Sequence, residues 1–364
     1  MNRMQNIHDL GQSIWLDSFD RKLMDSGQLQ KLIDEDSLCG ITSNPSIFEK
    51  AVSSSSDYDD DIRKLASEGK NNEEIFFGFA TSDIQRAADI LKPVYDKAKG
   101  TDGFVSLEVS PLLANDTEGT IKQARELWKT LDRKNVMIKI PGTKEGLEAI
   151  KQCISEGINI NVTLLFGLDR YKEVTEAYIS GLEQRVKNNQ PIKGIESVAS
   201  FFLSRIDVLI DPILKEKKLD KLVGEIAIAS AKKAYEIYKE VFFGDRFRNL
   251  EQKGANKQKV LWASTSSKDP SFSDVKYVEA LIGPNTINTL PMETIAAFRD
   301  HGNAADHLEN NLLKATQELQ QLKDNGINID DITQQLEEEG VQKFNKAYST
   351  LLKAIDEKKK KQMA

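Results

Sequence analysis

Short apolar runs and longer amphipathic runs alternate along the chain. The short runs have the length and the branched, apolar character of β-strands, whereas the longer runs repeat apolar residues at helical spacing. This alternation is typical of βα units built around a parallel sheet. Eight runs are predicted as strands: 13–19 (SIWLDSF), 39–45 (CGITSNP), 103–109 (GFVSLEV), 135–142 (NVMIKIPG), 160–166 (INVTLLF), 197–202 (SVASFF), 259–265 (KVLWAST) and 277–283 (YVEALIG).

The longer runs predict helices, among them Thr117–Leu131, Leu168–Arg185 and Asp220–Val241, while 242–258 is predicted as a long connection. Eight βα units in 364 residues predict an α/β fold of the TIM-barrel, (β/α)8, type with additional helices at both termini. An open doubly wound sheet is the alternative, although it more often carries a nucleotide-binding glycine pattern after its first strand.

The remainder of the chain predicts no second domain. The segment after the eighth predicted strand, which begins INTLPMETIAAFRDHG, is predicted to be helical, and a C-terminal helical tail covers about 305–364. Because no internal repeat or linker is visible, we expect a single domain over 1–364.

Seven of the predicted strands carry a polar or charged residue toward their ends. In a TIM barrel the active site lies at the C-terminal ends of the strands, so these side chains are expected to meet at one mouth of the barrel. Hydrogen-bonding groups of strand ends and helix caps are an equally good interpretation for the threonine and the two serines. The seven residues are Asp17, Asn44, Glu108, Lys139, Thr163, Ser200 and Ser264.

The charged residue of the fourth predicted strand allows two interpretations. Lys139 interrupts the apolar run Val136–Ile140, and a lysine is rarely buried unless it is paired or used. Its ammonium could reach water along an apolar stem, or its desolvated amine could attack a carbonyl to form a Schiff base. Such a reaction needs a general acid/base and a second carboxylate that positions water, and Asp17 and Glu108 could fill these roles.

Two basic residues follow the late strands, where barrels often bind phosphate. Arg205 comes five residues after Ser200, and Lys268 follows the hydroxyl-rich segment 264–267. A guanidinium matches phosphate geometry with two donors. The alternatives are a helical ion pair of Arg205 with Asp207 or Asp211, and a solvated loop for Lys268.

Composition narrows the classes of function. A net charge of −7 gives no reason to expect nucleic acid or an anionic membrane as a partner, and no run approaches a membrane span. The two cysteines suit a reducing compartment, so a cytoplasmic protein is expected. Three histidines without zinc-site spacing, and no glycine-rich nucleotide loop, predict that no metal or cofactor takes part.

Five segments carry a resemblance to a known family. They are ITSNPSIF, VSLEVSPLLA, VMIKIPGTKEGLEAI, EGININVTLLF and SVASFFLSRID. In order and spacing they resemble the transaldolases, and the match covers roughly residues 10–300. The resemblance implies a barrel that uses a lysine Schiff base without a metal. It also implies transfer of a dihydroxyacetone unit from sedoheptulose 7-phosphate to glyceraldehyde 3-phosphate, in the non-oxidative pentose phosphate pathway.

The resemblance also implies a role for each site residue. Lys139 is the implied Schiff-base lysine, Asp17 the general acid/base, and Glu108 the group that acts through a catalytic water. Asn44 and Thr163 complete the polar shell, whereas Ser200 and Arg205 bind phosphate. Many transaldolases have a second phosphate-binding arginine two residues after the serine of strand seven, where this chain has Ser266. Lys268, near Ser264, is expected to supply that charge.

Two other functions stay open at this stage. A fructose 6-phosphate aldolase shares the barrel and the lysine but releases dihydroxyacetone to water, and a non-catalytic sugar-phosphate-binding barrel would need neither the lysine nor the carboxylates. Sugar phosphates are the expected partners under all three. A monomer and a homodimer are both compatible with the sequence.

Overall fold

The computed structural model describes residues 2–363 and contains eight parallel β-strands. The strands are β1 (Gln12–Leu16), β2 (Leu38–Ile41), β3 (Phe104–Glu108), β4 (Val136–Pro141), β5 (Ile160–Leu165), β6 (Ser197–Phe202), β7 (Lys259–Ala263) and β8 (Thr286–Leu290).

Helices connect and flank these strands. They are α1 (Arg3–Asp9), α2 (Arg21–Asp25), α3 (Gln28–Asp36), α4 (Pro45–Ser54), α5 (Asp59–Ser67), α6 (Asn72–Lys97), α7 (Thr117–Leu131), α8 (Lys144–Glu156), α9 (Leu168–Lys187), α10 (Ser204–Glu216), α11 (Ile226–Phe242), α12 (Asp245–Glu251), α13 (Lys276–Ala280), α14 (Met292–His301), α15 (Leu312–Asp324) and α16 (Ile329–Met363). Short 3₁₀ helices cover Pro111–Leu113 and Asp220–Leu222.

The strands close into a barrel in chain order, from β1 through β8 and back to β1. Nearly every strand residue is buried, because one face packs on the helices and the other fills the barrel. Strands buried on both faces read as apolar runs, which is why seven of them were recognisable in the sequence. The predicted TIM barrel, with additional helices at its ends, is confirmed.

The eighth predicted strand is wrong. Residues 277–283 include most of α13, and the strand is β8, in the segment predicted to begin a helix. Tyr277, Val278, Leu281 and Ile282 are all buried, and their spacing is that of one helix face. The run TINTL in β8 looks unlike a buried strand because it holds three polar residues.

Partners inside the barrel explain how β8 can bury those polar residues. Thr286 Oγ1 accepts a hydrogen bond from Gln12 Nε2 at 2.9 Å, and Asn288 Oδ1 accepts one from Thr265 Oγ1 at 2.9 Å. The hydroxyl of Thr289 lies 2.8 Å from that of Thr42. These hydrogen bonds lower the cost of burying the oxygens, although Asn288 Nδ2 has no partner among residues 2–363. The bonded partners lie far away in the sequence.

The helix predictions agree with the structure to different degrees. The helix predicted over 117–131 is α7, and the one predicted over 168–185 continues for two residues as α9. The run 220–241 divides into a 3₁₀ turn and α11. The connection 242–258 contains α12, whose buried Phe247 and Leu250 pack on the core.

The longest helix, α16, packs against α4, α5 and α6 and contacts β5. Tyr348 donates a hydrogen bond to Glu73 Oε1 at 2.8 Å, and Lys358 donates one to the Ser55 carbonyl at 2.8 Å. These contacts hold the C-terminal helix over the N-terminal third of the chain. None of the helices within 2–363 is both long and apolar enough to span a bilayer.

Candidate active site

A cavity of about 250 Å³ opens at the C-terminal ends of the strands. Six strands or the loops after them contribute side chains, and α16 contributes one more. The lining includes Asp17, Thr42, Asn44, Ser46, Lys139, Ser200, Phe202, Arg205, Ser264, Ser266, Lys268, Thr289, Pro291, Glu293 and Phe344. Seven of the nine residues predicted for the site therefore meet here. Within 2–363, no group of three or more His, Cys, Asp and Glu side chains could hold a metal ion.

Lys139 lies at the bottom of this cavity with 3% of its surface exposed. Its ammonium donates a hydrogen bond to the Ser43 carbonyl at 3.0 Å and lies 3.5 Å from Glu108 Oε2. The side chain thus ends inside the protein, and the alternative of an ammonium that reaches bulk water is wrong. The backbone register places Lys139 directly beside Glu108 on β3, so the pair is set by the sheet.

Glu108 is a buried carboxyl group beside the lysine. Burial raises its pKa from 4.5 to about 7, although the charge of Lys139 opposes the shift. Neither carboxylate oxygen makes a hydrogen bond within the described part of the chain. A carboxyl group with this pKa and free acceptor atoms can exchange a proton near neutrality.

Asp17 stands on the cavity wall, one residue after β1. Its Oδ1 accepts a hydrogen bond from Thr42 Oγ1 at 3.0 Å, and its backbone amide donates to the Leu290 carbonyl at 2.8 Å. Burial raises the pKa of Asp17, whereas Lys139, Thr42 and Arg205 oppose the rise. The carboxyl group is therefore oriented by a strand end and a threonine, within the field of three cations, Lys139, Arg205 and Lys268.

A chain of hydrogen bonds crosses the barrel interior. Ser200 Oγ donates to Asn161 Oδ1 at 2.7 Å, and Asn161 Nδ2 donates to Ser106 Oγ at 3.0 Å. Lys139 pairs in register with Asn161 on the neighbouring strand. Ser200 is therefore a hydrogen-bonded strand hydroxyl, as one of its two interpretations predicted. It also lines the cavity.

Asn44 and Thr163 differ in their relation to the cavity. Asn44 lines it and also caps α4, because its Oδ1 accepts a hydrogen bond from the Ile47 amide at 3.1 Å. Thr163 is fully buried, and its hydroxyl has no hydrogen-bond partner in the described structure. Like Glu108, it is absent from the lining of the cavity, so these two predicted residues lie behind the wall.

Arg205 points into the cavity from the first turn of α10. The predicted alternative, an ion pair with a neighbouring aspartate, is wrong: Asp207 accepts from the Ala227 amide and the Tyr277 hydroxyl, and Asp211 accepts from the Gly224 amide. The guanidinium lies 5.4 Å from the Phe202 ring centroid, and burial lowers its pKa. Its Nη1 has no hydrogen-bond partner among residues 2–363.

The loop after β7 supplies hydroxyls and a second cation. Ser264 has a left-handed backbone with φ of 57°, and its hydroxyl lies 2.9 Å from that of Ser204 at the start of α10. The exposed Lys268 donates a hydrogen bond from Nζ to Ser266 Oγ at 2.6 Å. Both residues line the cavity, so Lys268 is more than a solvated loop residue.

Several residues that line the cavity were not predicted from the sequence. Thr42 is the first residue of the segment TSNP, and its position two residues before Asn44 was a usable signal. Phe202 and Pro291 looked like ordinary apolar or loop residues. Phe344 lies in α16, and no sequence pattern could show that this helix returns to the barrel mouth.

The fold and the site together define a TIM-barrel enzyme whose cavity joins a buried amine to carboxylates and to cations that suit phosphate. The family model described as Transaldolase/Fructose-6-phosphate aldolase matches residues 14–355. The chain belongs to this family.

Curated relatives match nearly the whole chain. A transaldolase of Trichodesmium erythraeum (strain IMS101) is 46% identical over 373 residues, which cover 99% of this chain and 98% of the relative. A transaldolase of Saccharopolyspora erythraea is 45% identical over 358 residues, covering 98% and 97%. One of Thiobacillus denitrificans is 42% identical over 358 residues, covering 98% and 100%.

Proposed function

We propose that the chain is a transaldolase, which transfers a dihydroxyacetone unit through a lysine Schiff base. The donor is sedoheptulose 7-phosphate and the acceptor is glyceraldehyde 3-phosphate; the products are erythrose 4-phosphate and fructose 6-phosphate, as in the non-oxidative pentose phosphate pathway. Similarity to proteins named transaldolase, which extends over nearly the whole chain, supports this reaction. The observation that carries the mechanism is the buried amine of Lys139 at the cavity floor, 3.5 Å from Glu108.

In the proposed reaction Lys139 is the nucleophile. Its Nζ adds to the ketone carbon of the donor, and loss of water gives the imine. Glu108, which lies beside Nζ and has a pKa of about 7, gives and takes the protons that the loss of this water requires. Thr163, whose buried hydroxyl has no partner among the described residues, is proposed to help hold it.

Asp17 is the proposed general acid/base for the carbon–carbon bond. It takes the proton of the hydroxyl next to the bond, the bond breaks, and the shortened aldose phosphate leaves while the electron pair stays on the three-carbon unit as an enamine. The enamine carbon then attacks the acceptor aldehyde, and Asp17 returns the proton to the new alkoxide. Asn44, whose Oδ1 caps α4 and whose amide nitrogen makes no hydrogen bond to the residues that the structure describes, is proposed to bind a substrate hydroxyl.

The phosphate is proposed to bind where the cavity meets α10 and the loop after β7. Arg205 supplies a buried guanidinium nitrogen that has no partner in the described part of the chain, and Ser200 and Ser264 supply hydroxyls. Lys268 takes the place of the second arginine found in many transaldolases. Its exposed, flexible ammonium acts as a point charge, unlike a guanidinium that donates two parallel hydrogen bonds.

The test is reductive trapping. The protein is incubated with fructose 6-phosphate, reduced with borohydride and measured by intact mass. We expect one reduced three-carbon unit per chain and none in Lys139→Met. Lys232→Met is the matched control, because Lys232 is also buried but donates to the His307 carbonyl away from the cavity; it should still form the adduct. A well-folded wild type without adduct would contradict the proposal.

A second assay separates the two activities that the family name contains. A transaldolase consumes fructose 6-phosphate at an appreciable rate only when erythrose 4-phosphate is present. Consumption that is independent of the acceptor, with release of dihydroxyacetone, would instead identify a fructose 6-phosphate aldolase. We propose the cytoplasm as the compartment, which the free, buried Cys39 and Cys153 support.

A further inference from the structure

Phe344 is an aromatic residue of α16 that reaches the site lysine. Its side chain is 4% exposed, lines the cavity and has its ring centroid 6.0 Å from Lys139 Nζ. Glu108 approaches the same nitrogen to 3.5 Å from β3. The lysine amine therefore has a carboxylate and an aromatic ring as neighbours, supplied by elements far apart in the chain.

The position of Phe344 is fixed by the close approach of α16 to the barrel. Gly340 lies one turn earlier on the helix, and a Cβ atom there would stand only 3.0 Å from Leu164 Cδ2. Leu164 has a left-handed backbone with φ of 55°, where the pairing of β5 with β6 shifts register. Arg170 pairs with Glu337 of α16 at 3.1 Å. The helix is thus anchored immediately before Phe344.

We propose that Phe344 is a specificity-determining residue that keeps bulk water from the three-carbon unit bound to Lys139. This inference rests on the proposed transaldolase function and extends it. The ring carries no group that gives or takes a proton, and it occupies space from which water could reach the enamine. The bound unit consequently persists until an aldehyde acceptor arrives.

The competing reaction that Phe344 suppresses is hydrolysis. Water gives a proton to the nucleophilic carbon of the enamine, which becomes an iminium. A second water adds to the iminium carbon and gives a proton to the hydroxide left by the first. The hydroxyl proton of this carbinolamine then moves to nitrogen as the carbon–nitrogen bond breaks, which releases dihydroxyacetone and the lysine amine. In transfer, the enamine carbon bonds to the aldehyde instead. Only the first step of hydrolysis needs solvent at that carbon, and excluding water from an active site prevents such side reactions.

The experiment compares two rates in each variant: dihydroxyacetone released from fructose 6-phosphate alone, and transfer with erythrose 4-phosphate present. In Phe344→Ala we expect the ratio of release to transfer to rise by about tenfold or more, because water enters the space left by the ring. Phe344→Leu keeps an apolar cover of similar reach and should stay near the wild-type ratio. A leucine variant as leaky as the alanine variant would overturn the proposal.

Leu351→Ala is the matched control, because Leu351 is a fully buried residue of the same helix that does not line the cavity. Loss of packing alone should lower the stability of both alanine variants, but only Phe344→Ala should change the ratio. If Phe344→Ala does not fold, Phe344→Val gives the same test with a smaller space. An unchanged ratio in a folded variant overturns the inference, whereas a wild type that forms no adduct with Lys139 overturns the proposed function itself.

Discussion

At the scale of single residues, the cavity is organised by charges that burial makes costly. A charge in an apolar strand must be paired or used, so Lys139 and Glu108 could be recognised from the sequence as candidate site residues. Their register, side by side on β4 and β3, confirms that they are neighbours. Phe344 could not be predicted, because an aromatic residue at helical spacing looks like any core residue.

Asp17→Asn tests the proposed acid/base at this scale. The amide keeps the size of the side chain and can still accept the Thr42 hydrogen bond, but it cannot take the substrate proton. We expect kcat for transfer to fall by about 10²- to 10⁴-fold.

Formation of the adduct from free dihydroxyacetone breaks no carbon–carbon bond, so borohydride should still trap it on Lys139 in Asp17→Asn. The two readouts, kcat and trapped mass, separate the roles of the two residues. Transfer at the wild-type rate would contradict the role of Asp17, and loss of the adduct would show that Asp17 acts on imine formation instead.

At the scale of elements, the strands with mostly apolar residues could be predicted from the sequence. The strand β8, whose polar residues form hydrogen bonds inside the barrel, could not. The sequence of β4 indicates its burial directly, whereas that of β8 does not, because the oxygens of Thr286 and Asn288 accept hydrogen bonds from the distant residues Gln12 and Thr265. Those bonds exist only after the barrel closes. The helix that replaced the predicted strand, α13, was misread because a short apolar run fits both periods.

Glu196, immediately before β6, provides a prediction about pH. It is 6% exposed, accepts a hydrogen bond from Asn256 Nδ2, and burial raises its pKa from 4.5 to about 7. Between these two values the unfolded chain is ionised while the folded protein keeps its proton. The contribution of Glu196 to the free energy of unfolding therefore falls as the pH rises from 4.5 to about 7.

Glu196→Gln, which cannot ionise but can still accept from Asn256, is the comparison. The free energy of unfolding of this variant should nearly equal that of wild type at pH 4.5 and should exceed it by about 3 kcal/mol at pH 7.5. Urea unfolding at both pH values measures the difference. A pH-independent difference would show that Glu196 is ionised in the folded protein.

At the scale of the whole molecule, α16 connects the N-terminal helices to the mouth of the barrel. It packs on α4, α5 and α6 while Phe344 reaches the barrel mouth, so the helical tail expected from about 305 is part of the structure around the site. The single domain over 1–364 stays a prediction, which these contacts favour.

Cooperative unfolding tests that prediction. Trp15 and Trp262 are fully buried at the barrel and report on its core, whereas circular dichroism follows all of the helices. We expect the thermal transitions from tryptophan fluorescence and from circular dichroism to coincide. A separate, earlier loss of helix signal would instead show that α15 and α16 unfold as an independent unit.

The contribution of α16 to the cavity has a consequence for biosynthesis. Chains fold from the N-terminus as they are made, and every strand of the barrel precedes Phe344. A nascent chain can therefore assemble the barrel and present Lys139 before the ring that covers it has left the ribosome. Under the proposed function, the nucleophile is then open to aldehydes for that interval, and its aromatic cover is the last part of the site to be completed.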